Sequence, residues 1–199
     1  MLPKLTPMTL EKEAAFDRDG WVFEMKWDGF RGLAYMDAGR CELVSRNDNV
    51  FKQFGTLARS LASELEGRTA VLDGEVVCLD DQGRAQFYEL MRGSSEPYFY
   101  AFDLLWLDGD DLREEPLLER KRRLKELVPT GPSRLLYVDH IERHGRALFQ
   151  KVCELDLEGV VAKPADGLYD TERPTRWVKF KNPSYSQAEG RGELFNRGR

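Results

Sequence analysis

The 199-residue sequence predicts an α+β fold with antiparallel sheets. Three observations predict it. Short β-rich runs follow one another in hairpin fashion through the first half. Segments of helical period interrupt them at irregular intervals, without the one-for-one alternation of a parallel sheet. The run Tyr98 to Leu107 is aromatic and aliphatic, the composition of a buried strand.

In chain order, Trp21 to Met25 is apolar and strand-like, and Phe30 to Met36 reads as a second strand. Asp37-Ala38-Gly39-Arg40 is a turn signal, so Cys41 to Ser45 is its hairpin partner. Leu57, Leu61 and Leu65 recur at helical spacing, which predicts a helix from Gln53 to Leu65. Thr69 to Leu79 is β-like again, and Asp80-Asp81-Gln82-Gly83 turns the chain. Pro116 suits the first residue of a helix running through Leu127. Leu135 to Val138 predicts a short strand, and Leu148, Val152 and Leu155 mark a second amphipathic helix. Glu158 to Lys163 and Arg176 to Lys181 are the last two strands. Beyond Asn182-Pro183 the chain turns polar and aperiodic, so 183–199 reads as a tail or hinge after a domain spanning 1–182.

Composition narrows the function. Apolar content of 41% and charged content of 33% suit a globular protein. No apolar run approaches the ~20 residues that cross a bilayer, and the N-terminus lacks the layout of a signal peptide. A cytoplasmic, membrane-free monomer is expected. Cys41, Cys78 and Cys153 lie far apart, with no CxxC pair, which favours reduced, packed thiols. His140 and His144 read as surface or capping residues. The net charge of −5 has the wrong sign for binding nucleic acid by bulk charge, so any such binding needs a local basic surface.

Five clusters carry chemistry. In Glu24-Met25-Lys26-Trp27-Asp28-Gly29-Phe30-Arg31, a lysine lies between two strands with carboxylates two positions away on either side, and Asp28-Gly29 reads as a tight turn. A lysine amine attacks phosphorus only when unprotonated, so its surroundings must favour the neutral form. In Leu72-Asp73-Gly74-Glu75-Val76-Val77, a carboxylate on a strand can accept from ribose hydroxyls or hold a metal. In Tyr98-Phe99-Tyr100-Ala101-Phe102-Asp103-Leu104-Leu105, one aromatic can stack on a purine. The fourth cluster is Glu158-Gly159-Val160-Val161-Ala162-Lys163. In the fifth, Trp177-Val178-Lys179-Phe180-Lys181, alternation puts both lysines on one face, a natural phosphate clamp. Each cluster alone also has an ordinary reading as a solvated hairpin, a turn or a buried strand.

Taken in this order over residues 24–181, the five clusters resemble the motifs of the covalent nucleotidyltransferases. Within that superfamily the chain is most similar to ATP-dependent DNA ligases, especially bacterial end-joining ligase modules. Trp27, Ser45-Arg46-Asn47 and the stretch from Lys181-Asn182-Pro183 to Glu193-Leu194-Phe195 carry that closer likeness. The resemblance implies an ATP-grasp-like core of two antiparallel sheets packed together with flanking helices. It implies that Lys26 takes AMP covalently from ATP, with Mg²⁺ or Mn²⁺ held near Glu158. It places Glu24 towards the adenine, Arg31 towards the sugar, Glu75 on the ribose, Phe102 against the base and Lys179 and Lys181 on the α-phosphate. Arg46 would contact the 5′-phosphate of nicked double-stranded DNA.

The chain also departs from the family pattern. Only 18 residues follow Lys181, too few for the OB-fold domain that carries a sixth, basic motif. Two alternatives follow: a separated domain, or a natural minimal protein that works with a separate DNA-binding or OB-fold partner protein. Two other readings share these residues: an RNA ligase or RNA-end repair enzyme, and a non-catalytic module that binds nucleotide or nicked DNA.

Overall fold

The computed structural model describes residues 2–188. The strands are β1 (Glu11–Lys12), β2 (Arg18–Lys26), β3 (Phe30–Asp37), β4 (Arg40–Ser45), β5 (Ala70–Val77), β6 (Tyr98–Leu107), β7 (Asp110–Asp111), β8 (Leu135–Tyr137), β9 (His140–Arg143), β10 (Gly159–Pro164) and β11 (Val178–Lys181). The helices are α1 (Gly55–Glu64), α2 (Phe87–Arg92), α3 (Leu117–Leu127) and α4 (Gly145–Glu154), with 3₁₀ turns at Lys52–Phe54 and Ser186–Ala188.

These strands form two sheets, one ordered β1-β11-β10-β2-β9 and the other β4-β3-β5-β6-β7 with β8 beside β6. Pairing is antiparallel except for β1 with β11 and β8 with β6, which are parallel. The expected α+β architecture with two packed sheets is what forms.

Side-chain alternation decides what each sheet face does. In the first sheet Phe23, Val160, Ala162, Val178 and Phe180 pack around Val152 of α4. Full burial of one such side chain is worth about 1.5–3 kcal/mol. The interleaved residues Glu24, Lys26, Lys163, Lys179 and Lys181 belong to the opposite face. In the second sheet Ala34, Met36, Leu72 and Leu104 join the helical side of the core with Leu57, Leu61 and Leu124. Leu33, Val71 and Leu105 pack on the reverse face against Met8, Tyr169 and Trp177. The second sheet is thus covered on both faces.

Four local details differ from the expected pattern. Lys52–Phe54 forms a 3₁₀ turn ahead of α1, where one continuous helix was expected. Pro116 is the N-cap of α3, at ψ 145°, rather than its first helical residue. Leu155 lies just past α4 and is exposed, because the apolar stripe ends at Val152. Residues 183–188 are docked rather than trailing. Tyr185 donates to Asp28 at 2.8 Å and Gln187 donates to the Ala85 carbonyl at 2.7 Å. The rest of the expected tail, with Glu193-Leu194-Phe195, lies outside the described residues.

A buried ion pair joins α3 to β6. Arg120 donates to Asp103 through Nε at 2.7 Å and Nη2 at 2.9 Å, and neither side chain has exposed surface. Arg120→Met should leave Asp103 buried without its counter-ion, at a cost of about 3–5 kcal/mol. For a chain of this size that is on the order of 10 °C in Tm. The Arg120→Met/Asp103→Leu double variant should recover most of the loss, as thermal unfolding of the three proteins would measure.

Candidate active site

The cleft between the sheets is built around the end of β2. Lys26 pairs there with Gly159 of β10. A Cβ at Gly159 would lie 2.1 Å from the Phe180 carbonyl oxygen, so only glycine permits this approach. After Lys26 the chain crosses to the other sheet; β2 and β3 are not a hairpin. The expected tight turn at Asp28-Gly29 is instead a bend between layers. Gly29 is required there because a Cβ would lie 2.0 Å from the Val76 carbonyl oxygen. Gly29 is absent from the glycines with positive φ.

At one end, the Lys26 side chain donates to Glu158 Oε2 at 2.7 Å. Lys181 Nζ lies 3.7 Å from Glu158 Oε1. Lys179 donates to the Leu10 carbonyl at 2.9 Å. Burial, then the cations of Lys181 and Lys26, hold the Lys179 amine below its ordinary pKa. Three lysines from β2 and β11 therefore face one carboxylate. That excess of positive charge suits a polyanion.

At the other end the walls are Glu24, Arg31, Glu75, Phe102, Lys163 and Trp177. The Arg31 guanidinium is anchored by Nε and Nη2 to Asp73 at 3.1 and 2.7 Å, and by Nη1 to the Met8 carbonyl at 2.6 Å. It lies 5.4 Å from the Phe102 ring centre. Burial alone would lower its pKa, but the Asp73 carboxylate outweighs that and holds it above the ordinary value. Lys163 Nζ sits 4.3 Å from the Phe102 ring centre and 4.2 Å from that of Trp177. Trp27, at the mouth, stacks on Tyr100 with centroids 4.0 Å apart.

Glu75 is half-buried on β5. Burial, opposed by Lys26 and Arg31 and reinforced by Glu158 and Asp28, raises its pKa to about 8. Near neutral pH its carboxyl is largely protonated, able both to donate and to accept. Between the unfolded value of 4.5 and about 8 the folded state binds the extra proton, so this group's effect on stability falls as pH rises through that window. Glu75→Gln should remove that slope. Denaturant unfolding at pH 5 and pH 8 should show the variant gaining relative to the parent at the higher pH.

The structure thus brings Glu24, Lys26, Arg31, Glu75 and Phe102 together in one cleft, with Glu158 and Lys181 on Lys26 and Lys179 alongside. Arg46 is apart from it, exposed just beyond β4, with no ion pair among the described residues. A larger cavity of about 580 Å³ lies between β4 and α1 and contains none of the expected site residues. Lys163, Trp177 and Leu10 also line the cleft, while Asp73 and Lys121 brace Arg31 and Glu24, and none of these five was among the expected site residues. Alternation through Lys179 and Lys181 was a signal for Trp177. Lys121 gave none, because a lysine on a charged helix reads as solvated.

Two sheets enclosing a lysine that is flanked by a carboxylate and a lysine pair define the core of a covalent nucleotidyltransferase. The chain belongs to the ATP-dependent DNA ligase domain family, whose model matches residues 1–181. It is 33% identical over 171 residues to the multifunctional non-homologous end joining protein LigD of Mycolicibacterium smegmatis, covering 84% of this chain and 22% of that protein. The ligase domain of M. tuberculosis LigD superposes with a TM-score of 0.79 at 32% identity, covering 89% of this chain and 59% of that one. A Chlorella virus DNA ligase-adenylate, at 18% identity and TM-score 0.64, shares the fold. The chain spans about a fifth to a third of the length of the curated relatives it matches.

Proposed function

We propose that this chain performs the nucleotidyl-transfer chemistry of an ATP-dependent DNA ligase. The observation that carries the reading is Lys26 on Glu158 at 2.7 Å, with Lys179 and Lys181 beside them in the cleft walled by Phe102 and Glu75. Lys26 Nζ would attack the α-phosphorus of ATP. A P–N bond forms, the bond to pyrophosphate breaks, and the amine proton leaves to solvent. Lys179 and Lys181 would offset charge on the α-phosphate, and charge neutralisation and positioning are most of what such transfers require. A solved mycobacterial DNA ligase D complexed with ATP, 32% identical to this chain, supports the choice of nucleotide.

Mg²⁺ or Mn²⁺ fits the donor set. Among the described residues no cluster of three His, Cys, Asp or Glu side chains could cage a metal. Mg²⁺ commonly takes one or two carboxylates, substrate phosphates and waters. Glu158 would be its protein ligand, and the metal would supply charge neutralisation at the leaving pyrophosphate.

Nicked double-stranded DNA is the acceptor we infer, with Arg46 on its 5′-phosphate. The test uses ATP labelled in the α-phosphate. The chain should carry label through denaturing electrophoresis and release it to a nicked duplex bearing a 5′-phosphate. Arg46→Ala should slow that release several-fold while leaving lysyl-AMP formation intact. Failure to label with ATP and divalent metal would overturn the reading.

A further inference from the structure

Lys121 is a buried cation that the transfer chemistry does not use. It sits on α3, outside the motif-bearing clusters, yet its side chain is 1% exposed. Its ammonium lies 2.7 Å from Glu24 Oε1, donates to the Val138 carbonyl at 2.9 Å and sits 4.7 Å from the Tyr137 ring centre. Lys163 holds the other carboxylate oxygen, Oε2, at 2.6 Å. Glu24 is 2% exposed and lines the cleft beside Phe102 and Trp177.

This triad is incomplete by itself. Glu24 Oε1 and Lys163 Nζ are both buried, and neither has an aligned hydrogen-bond partner. An ionised carboxylate has about four lone-pair sites, so two lysines leave acceptor capacity unspent. Buried polar groups normally find partners, and the unspent capacity here belongs to a cleft-lining carboxylate. Burial would push the Glu24 carboxyl up, but the two lysine cations outweigh it and hold the group below the ordinary carboxylate range. Glu24 is therefore a fixed acceptor, charged at neutral pH.

We propose that Lys121 is a positioning residue for base choice: by fixing Glu24 as a charged acceptor in the cleft, it sets the preference for a purine that presents an amino group there over one that presents a carbonyl. The proposal rests on the nucleotide-transfer reading above. An adenine amino group donates to the carboxylate. A guanine carbonyl oxygen in the same place meets a like partial charge and leaves the acceptor unpaired. Without Lys121, Glu24 keeps one cation in a buried site. Its carboxyl then takes up a proton more readily and can rotate, and a protonated carboxyl can donate to a carbonyl oxygen.

The experiment compares ATP and GTP labelled in the α-phosphate as donors to the intact chain, for the parent, Lys121→Gln and Lys121→Arg, with Leu124→Ala as a control for weakened packing on the same helix. Should Lys121→Gln fail to fold, Lys121→Met, closer in shape, carries the same comparison. We expect the ATP:GTP ratio of labelling rates to fall at least about tenfold in Lys121→Gln, the loss of one charge-assisted hydrogen bond. Lys121→Arg should retain most of the preference, and Leu124→Ala should retain all of it. A parent that favours ATP together with a folded neutral variant that favours it equally would overturn the role of Lys121 alone. A fall in Leu124→Ala equal to that in Lys121→Gln would do the same. A parent labelled by neither nucleotide would overturn the transfer reading, and this proposal with it.

Discussion

Lys26→Ala should abolish covalent labelling from ATP, a loss of at least about 10⁴-fold, as removal of a nucleophile does in covalent catalysis. Lys26→Arg should fail equally, because a guanidinium stays protonated and offers no lone pair to phosphorus. Non-covalent ATP binding should survive both changes. The walls at the base end, Phe102, Glu75 and Trp177, do not depend on Lys26, and Lys179 and Lys181 keep the positive charge at the phosphate end. Electrophoresis after labelling and equilibrium binding of unlabelled ATP separate the two outcomes. Label persisting in Lys26→Ala would move the nucleophile elsewhere, with Lys181 the first to inspect, since it shares Glu158 with Lys26.

The parts of this site legible in the sequence are those carried by several clusters in one order, because each cluster alone has an ordinary use. A lysine two positions from a carboxylate on each side, followed by glycine, became legible only with the two lysines that alternate at the end of a later strand and the clusters between them. Glycine at 29 was legible but for another reason, since contact between the layers requires it and no turn does. What stayed hidden depends on long-range packing. Lys121 and Lys163 are 97 and 139 positions from Glu24, and nothing local marks them as its partners. Strand β9, His140–Arg143, escaped because an exposed edge strand of polar residues has no two-residue apolar period to read. Helix α2 escaped because it is only six residues long, with two buried apolar side chains. The docking of Tyr185 on Asp28 was invisible for the same long-range reason, and it ties the start of the expected tail or hinge to the segment after Lys26.

Glu158→Ala should lower the rate of lysyl-AMP formation by about 10²–10³-fold while leaving the affinity for ATP almost unchanged. The two quantities separate because Glu158 does two opposite things. Before nucleotide arrives it is the anion that holds Lys26 at 2.7 Å and lies 3.7 Å from Lys181. Those lysines must leave it, at least in part, to meet a triphosphate. Removing the carboxylate therefore makes the phosphate end more positive, and ATP should bind no worse and even somewhat better. The transfer step loses the carboxylate assigned to the metal at the leaving pyrophosphate, and Lys26 loses the partner that fixes its direction. Single-turnover labelling over a range of ATP concentrations reads rate and affinity together. Glu158→Gln, which keeps shape without charge, should behave like the alanine variant, and higher Mg²⁺ or Mn²⁺ should restore part of the rate in both. A rise in the ATP concentration needed for half-maximal rate, with the maximal rate unchanged, would instead make Glu158 a nucleotide-binding group and remove it from the metal site.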